Sequence, residues 1–277
     1  MTDLLLPHPL AQCSIHSQDR PVDLLKTIIN ALTPYGLNLI GTTTITDYEA
    51  LVPSQYHVAS LLPDAKTLIV IGNGGGQFWE GFRAYCGEHP NYLHEREHPL
   101  DDYTVEVIEK TLTPILAQPG TVYRYLYPFR FWSEPVSFMH LARAAGLAGP
   151  SILGVTIHPV YGPWMALRVA ILINFELHIE PAAVGFDPCP TCTERACITA
   201  CPAQAITIEK NWDIPACVQH RLRETTDCVD YCHARFDCVY GREHRYPLDE
   251  LQYHQRQSFA EMRKYFEDAS VHSLLRE

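Results

Sequence analysis

Eight of the ten cysteines fall within fifty residues: Cys189, Cys192, Cys197 and Cys201, then Cys217, Cys228, Cys232 and Cys238. Cysteine at this density serves as ligand or crosslink. Nothing marks the chain as secreted, which argues against a disulfide framework. Zinc also accepts C-x2-C pairs, but its sites close on four ligands at paired short spacings, and a C-x3-C-P ending adds nothing to them. Two iron-sulfur clusters need eight thiolates, and the stretch supplies that number.

The first half reads C-P-T-C-T-E-R-A-C-I-T-A-C-P. It resembles the bacterial ferredoxin run C-x2-C-x2-C-x3-C-P, with the middle gap widened to four residues. In such a run three thiolates hold one cluster and the fourth, before the proline, reaches the other. Carried over by position, Cys189, Cys192, Cys197 and distant Cys238 would hold one [4Fe-4S] cluster. Cys201, Cys217, Cys228 and Cys232 would hold the second. The spacing alone leaves open how the last four cysteines divide.

With 277 residues and 47% hydrophobic content, the chain has room for a large core and a second unit. The expected division is an irregular arm over 1–20, an α/β domain over 21–185, a two-cluster ferredoxin-like domain over 186–246 and a C-terminal helix over 247–277. No signal peptide or membrane-length apolar run is present, so a cytoplasmic protein without a membrane partner is expected. The formal charge of −11 disfavours broad binding to nucleic acid.

Before the cysteines, helical spacing runs from Pro21 to the Pro34-Tyr35-Gly36 stop, and again over 101–117, where Asp101 is a capping residue and Pro114 bends the end. A further helix is expected over 136–145 and a polar one over 248–266. Strands are expected over 37–41, 65–72, 121–127, 152–157 and 164–175, from β-branched or alternating apolar runs. Asn73-Gly74-Gly75-Gly76 permits close backbone approach but is no G-x-G-x-x-G fingerprint. His89, His94 and His98 sit in a His- and Pro-rich stretch, Tyr85 to Pro99, without H-E-x-x-H spacing, and the stretch reads as a solvated loop. Cys86 reads as an idle thiol, and Cys13 with His16 as an incidental pair. Arg168 interrupts an apolar segment, and a buried arginine requires a carboxylate, phosphate-like group or ligand.

The segment G-V-T-I-H-P-V-Y-G-P-W-M-A-L-R, Gly154 to Arg168, resembles the I-H-P-x-F-G-G-W-x-A-x-R stretch of CblC-type cobalamin-processing proteins, with Pro163 as the departure. H-P-L-D-D-Y, His98 to Tyr103, looks like the start of a helix in that family. The resemblance implies that Arg168 contributes to a thiol-cosubstrate site. A-R-A-A-G-L (Ala142 to Leu147), Gly162-Pro163-Trp164, L-H-I-E-P and the cysteine run follow the order of epoxyqueuosine reductase, over most of residues 20–245. Both resemblances imply a flavin-nitroreductase-like α/β sandwich of the cobalamin-binding type, followed here by a dicluster ferredoxin-like domain. The position of the reductase family's proton-donating aspartate falls on Trp132. Its helical-repeat extension that holds transfer RNA is absent, so tRNA is not an expected partner.

These readings predict a cobalamin- and iron-sulfur-dependent reductase. An external ferredoxin, flavodoxin or reductase feeds the clusters, which deliver single electrons to a bound corrinoid for reduction of a small-molecule or corrinoid substrate. The candidate cofactor-binding residues are His158, Tyr161, Gly162, Trp164 and Arg168. Glu134 and Tyr125 are the candidate proton donors. His158 has an axial-ligand reading and a structural one before Pro159. The alternatives are corrinoid processing or trafficking of the CblC kind, epoxyqueuosine reduction in tRNA, and a ferredoxin-type carrier without corrinoid.

Overall fold

The computed structural model describes residues 20–131, 133–223 and 227–267. Cys13, His16 and Trp132 lie outside the described residues, as does the arm over 1–20 apart from Arg20. Helix α1 (Arg20–Leu32) leads to strand β1 (Leu39–Thr44) and a short α2 (Ile45–Glu49). Strand β2 (Thr67–Gly74) is followed by α3 (Gln77–Glu88), α4 (Pro99–Leu116), β3 (Tyr123–Leu126), α5 (Phe138–Ala144) and β4 (Met165–Ile173).

The four strands form an antiparallel sheet in the order β1-β2-β4-β3. Alternation along β2 and β4 divides two cores. Ile69, Ile71, Val169, Ile171 and Ile173 face α1, α3 and α4. Leu68, Val70, Ala170 and Leu172 face α2 and α5. Both faces are covered, which is why these strands read as nearly continuous apolar runs.

Three readings need correction. Residues 152–157 form no strand; only an isolated bridge joins Gly149 to Ile157. The helix expected from Asp101 begins at Pro99 and passes Pro114 without ending there. Tyr85 and Cys86 lie on α3, whose Phe78, Trp79 and Phe82 are buried, and only the residues after Glu88 are turns.

The cysteine-rich stretch is built from much shorter pieces. These are α6 (Ala196–Ala200), the two-residue strands β5 (Ile206–Thr207) and β6 (Asn211–Trp212), α7 (Ile214–Arg221) and α8 (His233–Phe236). Helix α9 (Leu248–Glu267) then runs back across both parts. Trp79 Nε1 donates to Asp249 Oδ2 at 3.0 Å, the Leu100 N–H donates to the Tyr253 hydroxyl at 3.3 Å, and Gln255 Nε2 donates to the Cys228 carbonyl at 2.8 Å. One helix thus bonds the α/β body and the cysteine stretch at once.

Candidate functional site

Cys189, Cys192, Cys197 and Cys238 line one cavity, walled by Ile152, Leu153, Ile157 and Tyr240. The turn from Cys189 closes with the Cys192 N–H on the Cys189 carbonyl at 3.3 Å. Arg195 adopts a left-handed φ of 47° that turns the chain into α6, which carries Cys197. Cys238 reaches the same cavity from beyond α8. Burial pushes the Cys197 thiol up to about 11, with Cys238, Cys189 and Cys192 adding to the rise. Cys189 and Cys238 are raised by burial as well. Thiols held this way are poor free anions, and a metal taking the proton's place relieves that cost.

Cys201 ends α6, Cys217 lies on α7, and Cys232 caps the N-terminus of α8. These three line a second cavity of about 340 Å³. Cys228 is buried in the turn between α7 and α8, and it is electrostatically linked to Arg221 together with Cys217 and Cys232. The Ala205 N–H donates to Cys201 Sγ at 3.4 Å, the kind of contact that tunes a sulfur-ligated centre.

The spacing of the sulfurs tests the metal. Among the described residues, the group of three liganding atoms mutually within 4.8 Å is Glu97, His98 and Glu261, and no cysteine trio is so close. A tetrahedral zinc, with Zn–S near 2.3 Å, would draw its sulfurs to roughly 4 Å of one another. Neither cysteine set is drawn together to that spacing. At the acidic trio the Lys264 ammonium donates to Glu97 at 2.8 Å and Glu261 at 2.9 Å, so a cation already serves these exposed carboxylates.

The second cavity lies against the α/β body. Val155, Met165 and Ala166 form an apolar wall, while Arg235, Tyr246, His254 and Ser258 supply polar groups. His254 and Ser258 also line a neighbouring chamber of about 420 Å³ that contains Arg168, Asp101 and Tyr253. Between the chambers sits a set of buried polar side chains. Arg168 Nε donates to Asn73 Oδ1 at 2.7 Å and its guanidinium lies 4.7 Å over the Phe78 ring, while Nη2 has no partner. Both carboxyl oxygens of fully buried Glu250 are also unpaired, as is His254 Nε2, 3.7 Å away. Burial pushes the Glu250 carboxyl up to about 8 against the pull of Arg168 and Arg235. Burial also lowers His254 to about 3. The expectation of a partner for Arg168 thus resolves into a neutral amide, a ring face and the charge of two nearby carboxyl groups, Glu250 and Asp101, with Nη2 left unpartnered.

The other candidates occupy different places. His158 is buried, and its Nδ1 accepts the N–H groups of Val160 at 3.0 Å and Tyr161 at 3.2 Å, which ties that nitrogen to its own turn. Burial lowers it to about 4. Tyr161 packs on Gly74 and lies 4.7 Å from the His244 ring. Gly162 has φ +57°, and a Cβ there would meet the Tyr240 carbonyl oxygen at 2.1 Å. Trp164 is fully buried, 5.6 Å from Tyr246 and beneath the Arg235 guanidinium. These four form the seam between the body and the cysteine stretch. Tyr125 lies on edge strand β3, with its hydroxyl 3.3 Å from that of Thr113 and pushed up to about 12 by burial. Glu134 pairs with Arg124, and its second oxygen is buried without a partner.

Sequence reasoning did not find Arg221, Arg235, Tyr246, Glu250 or His254. Spacing held one signal: Glu250 and His254 stand at i and i+4 in a helix otherwise read as polar, and so share a face.

No family model and no curated protein matches the sequence. Solved structures do share the fold. The chain is similar to epoxyqueuosine reductase from Streptococcus thermophilus at 16% identity and a TM-score of 0.50, over 82% of this chain and 67% of that one. An epoxyqueuosine reductase solved with an epoxyqueuosine-modified tRNA-Tyr stem loop gives 15% and 0.55, over 83% and 69%. The C. elegans B12-trafficking protein CblC gives 14% and 0.52, over 87% and 97%. The chain therefore has the mixed helix and sheet architecture of these proteins, the part of the fold that the two resemblances implied and the likeness bears out. Among the described residues no helix is long and apolar enough to cross a membrane.

Proposed function

We propose that this chain is an iron-sulfur, corrinoid-dependent oxidoreductase whose reaction takes place where the cysteine stretch meets the α/β body. The observation that carries this reading is the position of the second cysteine set, which opens onto the cavity against the start of β4. When bound, two [4Fe-4S] clusters would supply single electrons and a corrinoid a one-electron acceptor.

The chain's own residues divide the remaining work. Cys189, Cys192, Cys197 and Cys238 hold one cluster, and Cys201, Cys217, Cys228 and Cys232 hold the other. Val155, Met165 and Ala166 exclude water from the chamber, and Arg235, Gln255 and Ser258 orient a bound ligand from its rim. Arg168 offers its free N–H to an anionic group in the neighbouring chamber. His158, Tyr161, Gly162 and Trp164 hold the two parts in register, so their contribution to cofactor binding is through the seam. An external ferredoxin, flavodoxin or reductase is the electron donor, and the substrate is a small molecule or the corrinoid itself.

The test is anaerobic purification with iron and sulfide analysis, followed by titration with cob(II)alamin. About eight irons per chain and a stoichiometric change in the cobalamin absorption spectrum are expected. An unchanged spectrum on a fully loaded protein would leave a ferredoxin-type electron carrier.

Epoxyqueuosine reduction is the second reading, favoured by the structural likeness to a reductase solved with a tRNA stem loop. That likeness also returns tRNA as a partner to test, against the expectation drawn from the family's helical-repeat extension and from charge. Restoration of queuosine in the tRNA of a deficient strain decides it. CblC-like processing is tested by alkylcobalamin dealkylation, which Arg168→Ala abolishes if the free N–H serves that chemistry.

A further inference from the structure

Arg221 is buried beside the second cysteine set with neutral partners. Helix α7 begins with Asp213, whose side chain accepts the Ala216 N–H at 3.0 Å, and ends at Arg221. Cys217 and Arg221 are four residues apart, so both project from one face of α7. Arg221 lines the cavity together with Cys201, Cys217 and Cys232. It is 8% exposed.

Its contacts come from α9. Nη2 donates to the Gln255 carbonyl at 3.1 Å, Nη1 to Ser258 Oγ at 3.4 Å and weakly to Met262 Sδ at 3.8 Å, and the guanidinium lies 5.6 Å from the Phe259 ring centroid. Nε has no partner among the described residues, and none of their carboxylates forms an ion pair with this side chain. A buried cation whose partners are a carbonyl, a hydroxyl, a thioether and a ring is expensive unless a negative charge stands nearby. Ligated as thiolates, Cys217, Cys232 and Cys228 would supply that charge, and they are the ionisable groups whose charge acts on Arg221. Among the described residues the first cysteine set has no buried equivalent; Arg242, whose charge acts on Cys238, is exposed. Arg195 lines its cavity but is exposed, and an exposed charge is screened by solvent.

We propose that Arg221 is the buried counter-charge of the second cysteine set, giving a cluster held there a higher reduction potential than one held by the first set. The inference rests on the two-cluster reading above. One-electron reduction adds a negative charge to the cluster, and a fixed cation at low local dielectric stabilises the reduced form over the oxidised one. No proton or bond changes hands at Arg221. The consequence is directional: an electron received at Cys189, Cys192, Cys197 and Cys238 moves downhill toward the chamber at the start of β4. Helix α9, which pins the guanidinium, sets how strongly.

The experiment is a redox titration of the full, reconstituted chain followed by electron paramagnetic resonance, with iron counted for every sample. The unaltered protein is expected to show two midpoints. In Arg221→Met the higher of the two midpoints falls by at least a tenfold change in the one-electron equilibrium, about 59 mV, and the lower stays in place; a fall of the lower one alone overturns the proposal. Arg221→Lys keeps the charge and holds the midpoint within about threefold of the original. Ser258→Asp, at an exposed position on α9, places a carboxylate against Arg221 and lowers the same midpoint by less. This variant decides the matter if Arg221→Met loses half its iron. The proposal is overturned if Arg221→Met moves neither midpoint, if Arg221→Lys falls as far as Arg221→Met, or if Ser258→Asp shifts nothing. Failure of the two-cluster reading is visible separately, as iron well below eight or a single signal in the unaltered protein.

Discussion

The α/β body and the cysteine stretch are held together by different physics. In the body, Ile69, Ile71, Ile171 and Leu172 are wholly buried between two layers of helices. The cysteine stretch has a small cluster whose buried members are its own Ile206 and Ala234 with Ile152 of the body, surrounded by cysteines. Its helices are four to eight residues long and its strands two. Elements that short cannot bury enough apolar surface to offset the entropy of ordering them. The body is stabilised by its core, whereas the stretch depends on what its cysteines bind and on α9.

The largest expected effect tests that difference directly. Cys232→Ala, or removal of iron with a chelator, should render residues 186–246 susceptible to proteolysis while the body resists. Limited proteolysis read by mass spectrometry measures it, and equal resistance before and after would break the comparison. Leu172→Ala should do the converse, costing about 2–5 kcal/mol in unfolding of the body by circular dichroism, with the iron content at low temperature unchanged.

Gly162→Ala addresses the seam. The new Cβ would sit 2.1 Å from the Tyr240 carbonyl at a left-handed φ, so backbone on one side or the other must move. Backbone strain of this kind costs about 1–3 kcal/mol. The expected outcome is two separate thermal transitions by calorimetry where the unaltered protein shows one.

Glu250 supplies a pH dependence. Its folded pKa is raised to about 8 from an ordinary 4.5. Between these values the folded chain holds a proton that the unfolded chain has released, so this group's contribution makes stability fall as pH rises from about 4.5 to 8. Glu250→Gln should flatten that slope, as measured by denaturant unfolding at pH 5 and pH 8. An unchanged slope would show that the carboxyl is ionised and paired in the folded state. The smallest effect belongs to Lys264→Ala: its contacts with Glu97 and Glu261 are solvent-exposed, and the melting temperature should not move measurably.

Much of this organisation was legible in the residues. The β-branched run Leu68 to Ile71 and the apolar run Met165 to Ile173, Arg168 excepted, are strands, because burial on both sheet faces favours apolar side chains at nearly every position. Ile152 to Ile157 carries similar residues, yet Gly154 in a left-handed conformation interrupts it and Ile152 packs against the cysteine stretch instead of a sheet. Helix α3 was obscured by the glycines before it and the histidines after it, although Phe78, Trp79 and Phe82 mark its buried face.

By itself the sequence determined the local chemistry: eight thiols at cluster-like intervals, an arginine within an apolar strand, and the periods of the main helices and strands. These follow from neighbours a few residues apart, which spacing records. Tertiary structure decided which cavity seven of the eight clustered cysteines face, that Arg168 keeps an unpartnered Nη2, and that Glu250, His254 and the partners of Arg221 come from a helix beyond the cysteines. Those relations join residues 34 to 95 positions apart, through burial that cancels solvent screening. Periodicity carries no record of such distances, and only packing brings the charges close enough to matter.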